Sequence, residues 1–461
     1  MKCPVTVARL AFVLITGGIV LHAGSGMNCT GEIEDEENLK RTEKNTLKAV
    51  FEVVMVNSVI WAYDRYVKKE GWAEISIDSV IRNIERGFDW DNNSFKANQF
   101  DHPLHGCLFW GAARVNGFNF WESMIFPVLG SSMWEFVLED NRPSTNDTLM
   151  ATFGGITLGE VLFRLSDLVV REEATGVERG LREFVAFFVN PIVIFDRLIT
   201  GKSFRAGPQT QKHYYDLRIP VGFSNQKLEA GIDVEYKDAT EKIESSISPY
   251  DYFTFDLRLE RYRKRMRIRR IITSGFILGK KIKGNGLVGL FGDFDYVSIP
   301  GNRISAVGFG PGLILNFNLR SKSRFKTFFG FFGIFGGASS SFVLEYGEEI
   351  FRKHGEHHQF GAESDPYYLG PGIKSRVNLQ FEKKNLGYLS AGMTHYWIHS
   401  IFGSHANEYV SRVCLRGGVN LFKWSQLGIE YNAYFKKGTY RDYDPLHKNI
   451  KAISFFHTFK F

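Results

Sequence analysis

From about residue 211 to residue 461 the sequence alternates apolar and polar residues with a period of two. Segment 253–260 (FTFDLRLE) is apolar at every odd position, and segments 228–237, 373–382 and 427–436 repeat this alternation. About twelve such segments reach roughly ten residues, the length that a tilted membrane strand needs, whereas ordinary strands average about five or six. Alternation alone also fits a soluble sandwich, so segment length carries the argument. The pattern predicts a transmembrane β-barrel of about twelve antiparallel strands.

The connections between these segments are unequal in length. If the N-terminal part is periplasmic, the connections at 383–385 and 423–425 are short periplasmic turns, and those at 340–365, 399–407 and 437–448 are long external loops, as in outer-membrane barrels. Ile453, Phe455, Phe459 and Phe461 share one face of the last segment. A final strand of this kind resembles the recognition signal of bacterial outer-membrane barrels, so we expect the barrel assembly machinery as a partner.

The N-terminus has the layout of a secretory signal peptide. Lys2 and Arg9 precede an apolar run at 10–21 and small residues at 23–26, and we expect cleavage near Ser25. An uncleaved anchor is the alternative, although the run is shorter than the ~20 residues that a span needs. Cleavage removes two basic residues and lowers the formal charge from +7 to +5. This balance suits outer-membrane lipid headgroups as partners, and export argues against nucleic acid.

Three cysteines then remain, Cys29, Cys107 and Cys414, which give no disulfide framework and no zinc-type spacing. Residues 26–45 are almost entirely polar and are predicted to form a charged linker. Residues 46–208 are predicted to form a helical domain and residues 209–461 the barrel. The apolar stretch 46–66 carries Glu52 and Asn57, so a helix packed against protein is preferred to a second membrane span.

Within the helical region, Ser144 is expected to cap a helix, with Asp147 three residues later. Gly154, Gly155 and Gly159 have the spacing that lets neighbouring helices approach closely.

A family resemblance rests on ordered motifs of the helical region. They are WD at 90–91, NQF at 98–100, HP at 102–103, HG at 105–106, NG at 116–117, NFWES at 119–123, GS at 130–131, WE at 134–135, PS at 143–144, ND at 146–147, GG at 154–155, GE at 159–160, RLS at 164–166, NP at 190–191 and RL at 197–198. In order and spacing this region resembles the bacterial DUF3943 family. Leu104 departs from it, since such proteins often carry an aromatic residue there. The family has no assigned activity, so the resemblance implies no mechanism.

The same region concentrates ionisable side chains among apolar ones. The candidates are His102, His105, Glu122, Glu135, Glu139, Asp147, Glu160 and Arg164. A structural network of caps and buried ion pairs is the favoured interpretation, and catalysis and metal binding are the alternatives. We predict that five of these residues form one buried network: Glu135, Glu139, Asp147, Glu160 and Arg164. No cofactor is predicted.

Two clusters fall at predicted external connections. The basic segment 261–270 is a candidate site for an anionic lipid or ligand, at Arg261, Arg263, Lys264, Arg265 and Arg267. The tract at 354–358 contains His354, His357 and His358, which are candidate metal ligands.

The predicted fold is therefore an α+β membrane protein of the bacterial outer membrane, with an N-terminal helical domain followed by the barrel. The helical domain could lie under the barrel, inside it or on the inner leaflet. A transport or channel protein with the helical domain as plug or gate is the first functional hypothesis, with a small-molecule or lipid solute. An outer-membrane enzyme that acts on lipid through the His/Glu cluster is the second, and a structural or surface-interaction protein is the third.

Overall fold

The computed structural model describes residues 44–90, 94–207, 213–225, 227–238, 248–282, 286–299, 302–319, 322–339, 367–401, 406–441 and 444–461. The expected signal peptide at 1–25, the linker up to residue 43, and the histidines His354, His357 and His358 lie outside these ranges. The predictions for them stay predictions.

The helical domain begins where Asn45 caps the first helix, its side chain accepting a hydrogen bond of 3.0 Å from the backbone N–H of Lys48. Its α-helices are α1 (Thr46–Ala62), α2 (Ile77–Arg86), α3 (His102–Val115), α4 (Phe120–Ser123), α5 (Ile125–Met133), α6 (Thr145–Gly154), α7 (Glu160–Val169), α8 (Gly176–Val189) and α9 (Pro191–Ile199). Short 3₁₀ turns lie at Gly71–Ala73 and Lys202–Phe204.

Several helices continue into π-helical turns, at Tyr63–Lys68, Ala97–Asp101, Trp134–Leu138 and Gly155–Gly159. The last of these joins α6 to α7 in one long helix. Two helices of the described residues, Thr46–Lys68 and Thr145–Val169, are long and apolar enough to cross a membrane, judged by length and composition.

The strands of the described residues close into a twelve-stranded barrel in which each strand pairs antiparallel with the next and β1 pairs with β12. They are β1 (His213–Ser224), β2 (Lys227–Asp238), β3 (Tyr252–Tyr262), β4 (Arg265–Ile282), β5 (Gly286–Ile299), β6 (Asn302–Leu319), β7 (Ser323–Ser339), β8 (Tyr367–Lys383), β9 (Gly387–His399), β10 (Ala406–Phe422), β11 (Ser425–Tyr440) and β12 (Leu446–Lys460). The predicted fold class, helices followed by a twelve-stranded antiparallel barrel, is confirmed.

Side chains that meet across the barrel identify its inner face. Arg416 on β10 reaches Asp233 on β2, and Arg270 on β4 reaches Glu430 on β11, although neither pair of strands is adjacent. Because side chains alternate along a strand, residues one position away point outward. Phe455, for example, lies on the outer face and is 62% exposed.

The helical domain packs against the outer face of the barrel wall. The ring of Phe95 contacts the outward ring of Tyr296 on β5, with centroids 6.1 Å apart, and Phe153 contacts Phe309 on β6 at 5.7 Å. Outward residues of the barrel wall pack in the same core cluster as buried residues of α3, α6 and α7. These strand residues, from β2 to β8, are Val234, Tyr236, Phe253, Phe294, Val307 and Leu369. This placement does not agree with the prediction that the helical domain plugs the barrel, nor with a position under it.

Helix α3 lies at the centre of the domain, against the long helix made by α6 and α7. A Cβ on Gly106 would clash with the carbonyl of Ala151, and one on Gly155 would lie 2.7 Å from the Gly106 carbonyl oxygen. A Cβ on Gly159 would lie 3.0 Å from Trp110. The close helix approach predicted from Gly154, Gly155 and Gly159 is therefore observed.

Candidate functional site

Three buried acid and imidazole side chains meet near one end of the helical domain. His102 is the first residue of α3, Glu135 lies in the π turn after α5, and Asp147 is in the first turn of α6. One ligand atom from each lies within 4.8 Å of the other two, and His102 Nε2 is 3.2 Å from Asp147 Oδ2. Within the described residues this is the group whose composition and spacing fit a metal ion.

Local backbone structure holds these carboxylates in place. The Ser144 side chain caps α6 by accepting a hydrogen bond from the N–H of Asp147 at 3.2 Å, as predicted. The backbone N–H of Ser144 donates to Glu135 Oε2 at 2.7 Å, and the Asn146 amide donates to Asp147 Oδ1 at 3.0 Å. Glu135 also lies in a π turn, a rare feature that is frequent at functional sites.

His105 lies one turn of α3 further on. Its ring is 5.8 Å from that of His102 and 5.6 Å from that of Trp134. His105 therefore packs between His102 and Trp134, beside the group that fits a metal ion.

One imidazole and two carboxylates form a donor set that suits zinc or iron. Ligand atoms bound to zinc at about 2.0 to 2.1 Å in a tetrahedron lie roughly 3.3 Å apart, close to the observed 3.2 Å between His102 and Asp147. The spacing of His102 and Asp147 therefore fits a metal ion, with Glu135 near enough to complete the set, and without a metal the same groups could act as an acid and a base.

A separate charged centre lies further along the same long helix. The buried carboxylate of Glu160 binds Arg114 at 2.9 Å, Arg164 at 2.9 Å and the Trp110 indole N–H at 2.9 Å. Thirteen residues separate Asp147 from Glu160, which is about 20 Å along a helix. The predicted single network is thus two centres.

The remaining candidates have local roles. Glu139 Oε1 accepts the Trp134 indole hydrogen bond at 2.5 Å. Glu122 forms a capping box with Asn119 at the start of α4, and its carboxylate pairs with Lys44 at 2.6 Å. Neither belongs to the group that fits a metal ion.

The basic segment 261–270 forms the β3–β4 turn, as expected, but only part of it is exposed. Arg261, Arg263, Lys264 and Arg265 are exposed, whereas Arg267 turns inward to Glu260 at 2.8 Å. A shift of the strand register beside Leu259 turns both Arg269 and Arg270 inward, to Glu229 and Asp256. The surface available to an anion is therefore the turn itself.

The lumen contains charged groups that the sequence analysis did not single out. Asp293 and Asp295 on β5 face Lys374 and Arg376 on β8, with Arg376 at 3.0 Å from Asp293 and 2.5 Å from Asp295. Lys374 contacts both aspartates, and the Tyr396 hydroxyl donates to Asp295. All five side chains are buried. Because β5 and β8 are not neighbours, this lumen cluster connects separate parts of the barrel wall. The sequence signal that could have predicted this cluster is a pair of like charges two positions apart on one strand, as in Asp293 and Asp295 or in Lys374 and Arg376.

A second level of ion pairs also crosses the lumen. Arg270 binds Glu430 at 3.0 Å, and Arg416 binds Asp233 at 2.9 Å and Glu430 at 3.4 Å. At the end of the barrel where β1 begins, a small polar opening is lined by Asp216, Arg218, Glu235, Arg324, Lys326, Gln380 and Glu382. Ion pairs thus bridge the lumen at two levels, and buried apolar side chains such as Phe291, Phe332 and Val410 also face it.

Residues 87–192 match the family model described as "Domain of unknown function (DUF3943)". The resemblance inferred from the sequence motifs is confirmed for this region. None of the curated proteins matches this chain.

Several solved structures are similar over the barrel half. The NanC porin has 9% identity and a TM-score of 0.30, and the alignment covers 53% of this chain and 98% of that one. The outer-membrane channel DcaP of Acinetobacter baumannii has 8% identity and a TM-score of 0.23, with 54% and 96% covered. OmpT of Vibrio cholerae has 10% identity and a TM-score of 0.18, with 54% and 97% covered.

Proposed function

We propose that this protein is an outer-membrane transport protein for small charged solutes, whose lumen is closed at rest by its own ion pairs. The observation that carries the proposal is the lumen cluster of Asp293, Asp295, Lys374, Arg376 and Tyr396. Charged groups of both signs line a barrel of twelve strands, a size that encloses a lumen either wet or filled with side chains.

The outer face of the barrel supports a membrane location. Away from the helical domain it exposes large apolar side chains such as Phe331, Ile429 and Phe455. The strands contain 11 to 18 residues, enough to span a bilayer when tilted. An outward apolar band of this kind is typical of outer-membrane barrels.

The gate that we propose differs from the predicted one. The helical domain contacts the outer face, so it does not close the lumen by filling it. Arg376 and Lys374 instead bridge from β8 to the aspartates of β5. Opening requires these pairs to separate, which a charged solute promotes by offering each side chain a new counter-ion.

The test is single-channel conductance in planar lipid bilayers. Replacing both bases (Lys374→Ala with Arg376→Ala) leaves two aspartates in the lumen, so we expect higher conductance and cation selectivity. Replacing both acids (Asp293→Asn with Asp295→Asn) leaves the two bases, so we expect anion selectivity. Arg263→Ala, at an exposed turn, is the matched control and should behave as wild type.

The reversal potential in a KCl gradient measures this selectivity. Opposite signs for the two double variants support conduction through the lumen. Conductance equal to wild type in both variants, while migration in a denaturing gel still changes on heating, would reject the transport function.

An outer-membrane enzyme that acts on lipid is the second candidate, and the group of His102, Glu135 and Asp147 favours it. If this group holds a catalytic metal, purified protein contains about one zinc or iron ion per chain, and Glu135→Gln loses it together with any change in membrane lipid composition. Glu122→Gln, at a helix cap, is the control and keeps both. Metal-free wild-type protein with unchanged lipids would reject the enzyme.

A further inference from the structure

Helix α1 buries its carboxylate and amide side chains and exposes several large apolar ones. Glu52 is fully buried and accepts a hydrogen bond from the Asn116 amide at 2.6 Å, and Asn57 is fully buried and donates to the Gly130 carbonyl at 3.0 Å. The opposite face exposes Phe51 and Val59, at 58% and 59%. A helix at a water-exposed surface shows the reverse arrangement.

The rest of the outer face of α1 is also apolar. It consists of Leu47, Val50 and Val54, together with Ser58, whose hydroxyl donates to the Val54 carbonyl at 2.7 Å. The side chain of Lys48 turns inward to Asp196. No exposed charge lies between residues 49 and 62, which are all among the described residues. With its π turn the helix contains 23 residues, about 34 Å, compared with a hydrocarbon core of about 30 Å.

Helix α8 repeats the arrangement. Its exposed face carries Leu181, Phe184 and Phe187. Two of its charged residues turn inward, where Arg179 donates to the Ser203 carbonyl at 2.8 Å and Glu183 binds Arg197 at 3.1 Å. Glu178, in the first turn, is exposed and pairs with Arg182. Two outer helices of one domain therefore present apolar surfaces.

The helical domain reaches from one end of the barrel to the other. Arg164 donates to the Pro249 carbonyl at 2.8 Å, in the β2–β3 connection. The Asn98 amide donates to the hydroxyl of Tyr367 at 2.6 Å, at the start of β8. Because successive strands run in opposite directions, these two contacts lie at opposite ends of the barrel.

We infer that the helical domain lies within the bilayer beside the barrel, with α1 and α8 in contact with phospholipid acyl chains. This rests on the proposed membrane location of the barrel. The domain occupies the position that lipid would otherwise take along β2 to β8. Helix α2 fits the interface, because a stripe of Ile77, Ile81 and Ile84 lies beside Arg82 and Arg86.

Continuity with the barrel surface identifies lipid as the occupant. The remaining outer wall exposes the same kind of surface, with Phe331 at 53% and Phe455 at 62%. A domain attached to that wall across its height meets the same surroundings as the wall. Exposed apolar patches of this extent are rare on soluble surfaces, and lipid removes their cost.

The test uses photo-crosslinking of the full-length protein in vesicles of phosphatidylethanolamine and phosphatidylglycerol. Benzoylphenylalanine replaces Phe51 or Phe184, a change that preserves the aromatic character of each site. The same replacement at Phe455 reports lipid contact of the barrel. Replacement at Phe332, a buried lumen residue beside Lys374, should give no lipid adduct.

We expect phospholipid adducts at Phe51 and Phe184 in yields comparable to that at Phe455, measured by mass spectrometry. Protein crosslinks, or no adduct, at Phe51 and Phe184 alongside lipid adducts at Phe455 would overturn this inference alone and leave the barrel in the membrane. Absence of lipid adducts at Phe455 as well would overturn both the inference and the membrane location.

Discussion

Glu160 lies between two arginines and connects α3, its own helix α7 and, through Arg164, the start of β3. It binds Arg114 of α3 and Arg164 of its own helix, and Arg164 continues to Asp251 at 3.4 Å, beside the barrel. Glu160 is fully buried, so its charge depends on these partners. The loss of one partner of a buried ion pair typically costs about 3 to 5 kcal/mol, because the remaining charge stays out of water.

Glu160→Gln should therefore destabilise the protein more than Arg164→Leu does. The glutamine keeps the size of the side chain but leaves two arginines without their shared carboxylate, whereas Arg164→Leu leaves Glu160 paired with Arg114. We expect a loss of about 3 to 5 kcal/mol for Glu160→Gln, measured as the free energy of unfolding in detergent.

Glu178→Gln is the matched control for this comparison. It breaks the ion pair between Glu178 and Arg182. The side chain of Glu178 is 58% exposed, and exposed pairs contribute about 0 to 1 kcal/mol. Equal losses for Glu160→Gln and Glu178→Gln would contradict the role of Glu160 as a buried charge.

The sequence predicted part of this centre and missed part of it. Glu160 and Arg164 are four residues apart, so their pairing follows from helix geometry. Arg114 lies 46 residues away from Glu160 and meets it only because Gly159 lets α3 approach. Pairing of this kind depends on the tertiary fold, which single-sequence periodicity does not specify.

At the scale of the element, alternation predicted the strands because their two faces meet different surroundings. It did not predict where the helices lie. An outward Phe253 against the helical domain and an outward Phe455 at the bare wall follow the same alternation. The helical domain and the lipid that we propose are both apolar surroundings, so the sequence of a strand does not distinguish between them.

Helix α1 shows how position on a helix changes the meaning of a polar residue. Glu52 and Asn57 in an apolar stretch argued against a membrane span, because uncompensated polar groups are costly in lipid. Both lie on the face formed by Ala49, Val53 and Val56, and both have partners there. The two polar residues therefore face the protein, and the opposite face of the helix is compatible with lipid.

At the scale of the whole molecule, the barrel and the helical domain share one core. The outward residues Phe253, Phe294 and Leu369 pack into the same cluster as Trp110 and Val161. Within the described residues, by contrast, the lumen is bridged by ion pairs between side chains of the barrel strands. The inner face of the barrel wall thus carries the ion pairs that bridge the lumen, and the outer face binds the helices.

Deletion of residues 46–204 should therefore leave conductance in planar bilayers at the wild-type level. The ion pairs that cross the lumen remain, and the newly exposed wall is largely apolar, so lipid can replace the helices. We expect the truncated barrel to insert into the membrane and to migrate differently with and without heating, because a closed barrel has no free strand edge.

The truncated chain carrying Lys374→Ala with Arg376→Ala is the positive control, and it should conduct as strongly as the full-length double variant. This control separates a barrel that stays closed from one that failed to insert. If deletion of the helices alone raises conductance while the ion pairs are intact, the helical domain closes the path and the gate lies outside the lumen cluster. If conductance rises only when the pairs of β5 and β8 are removed, the gate is the charge pairing inside the barrel, and the helices on its outer wall have a different task.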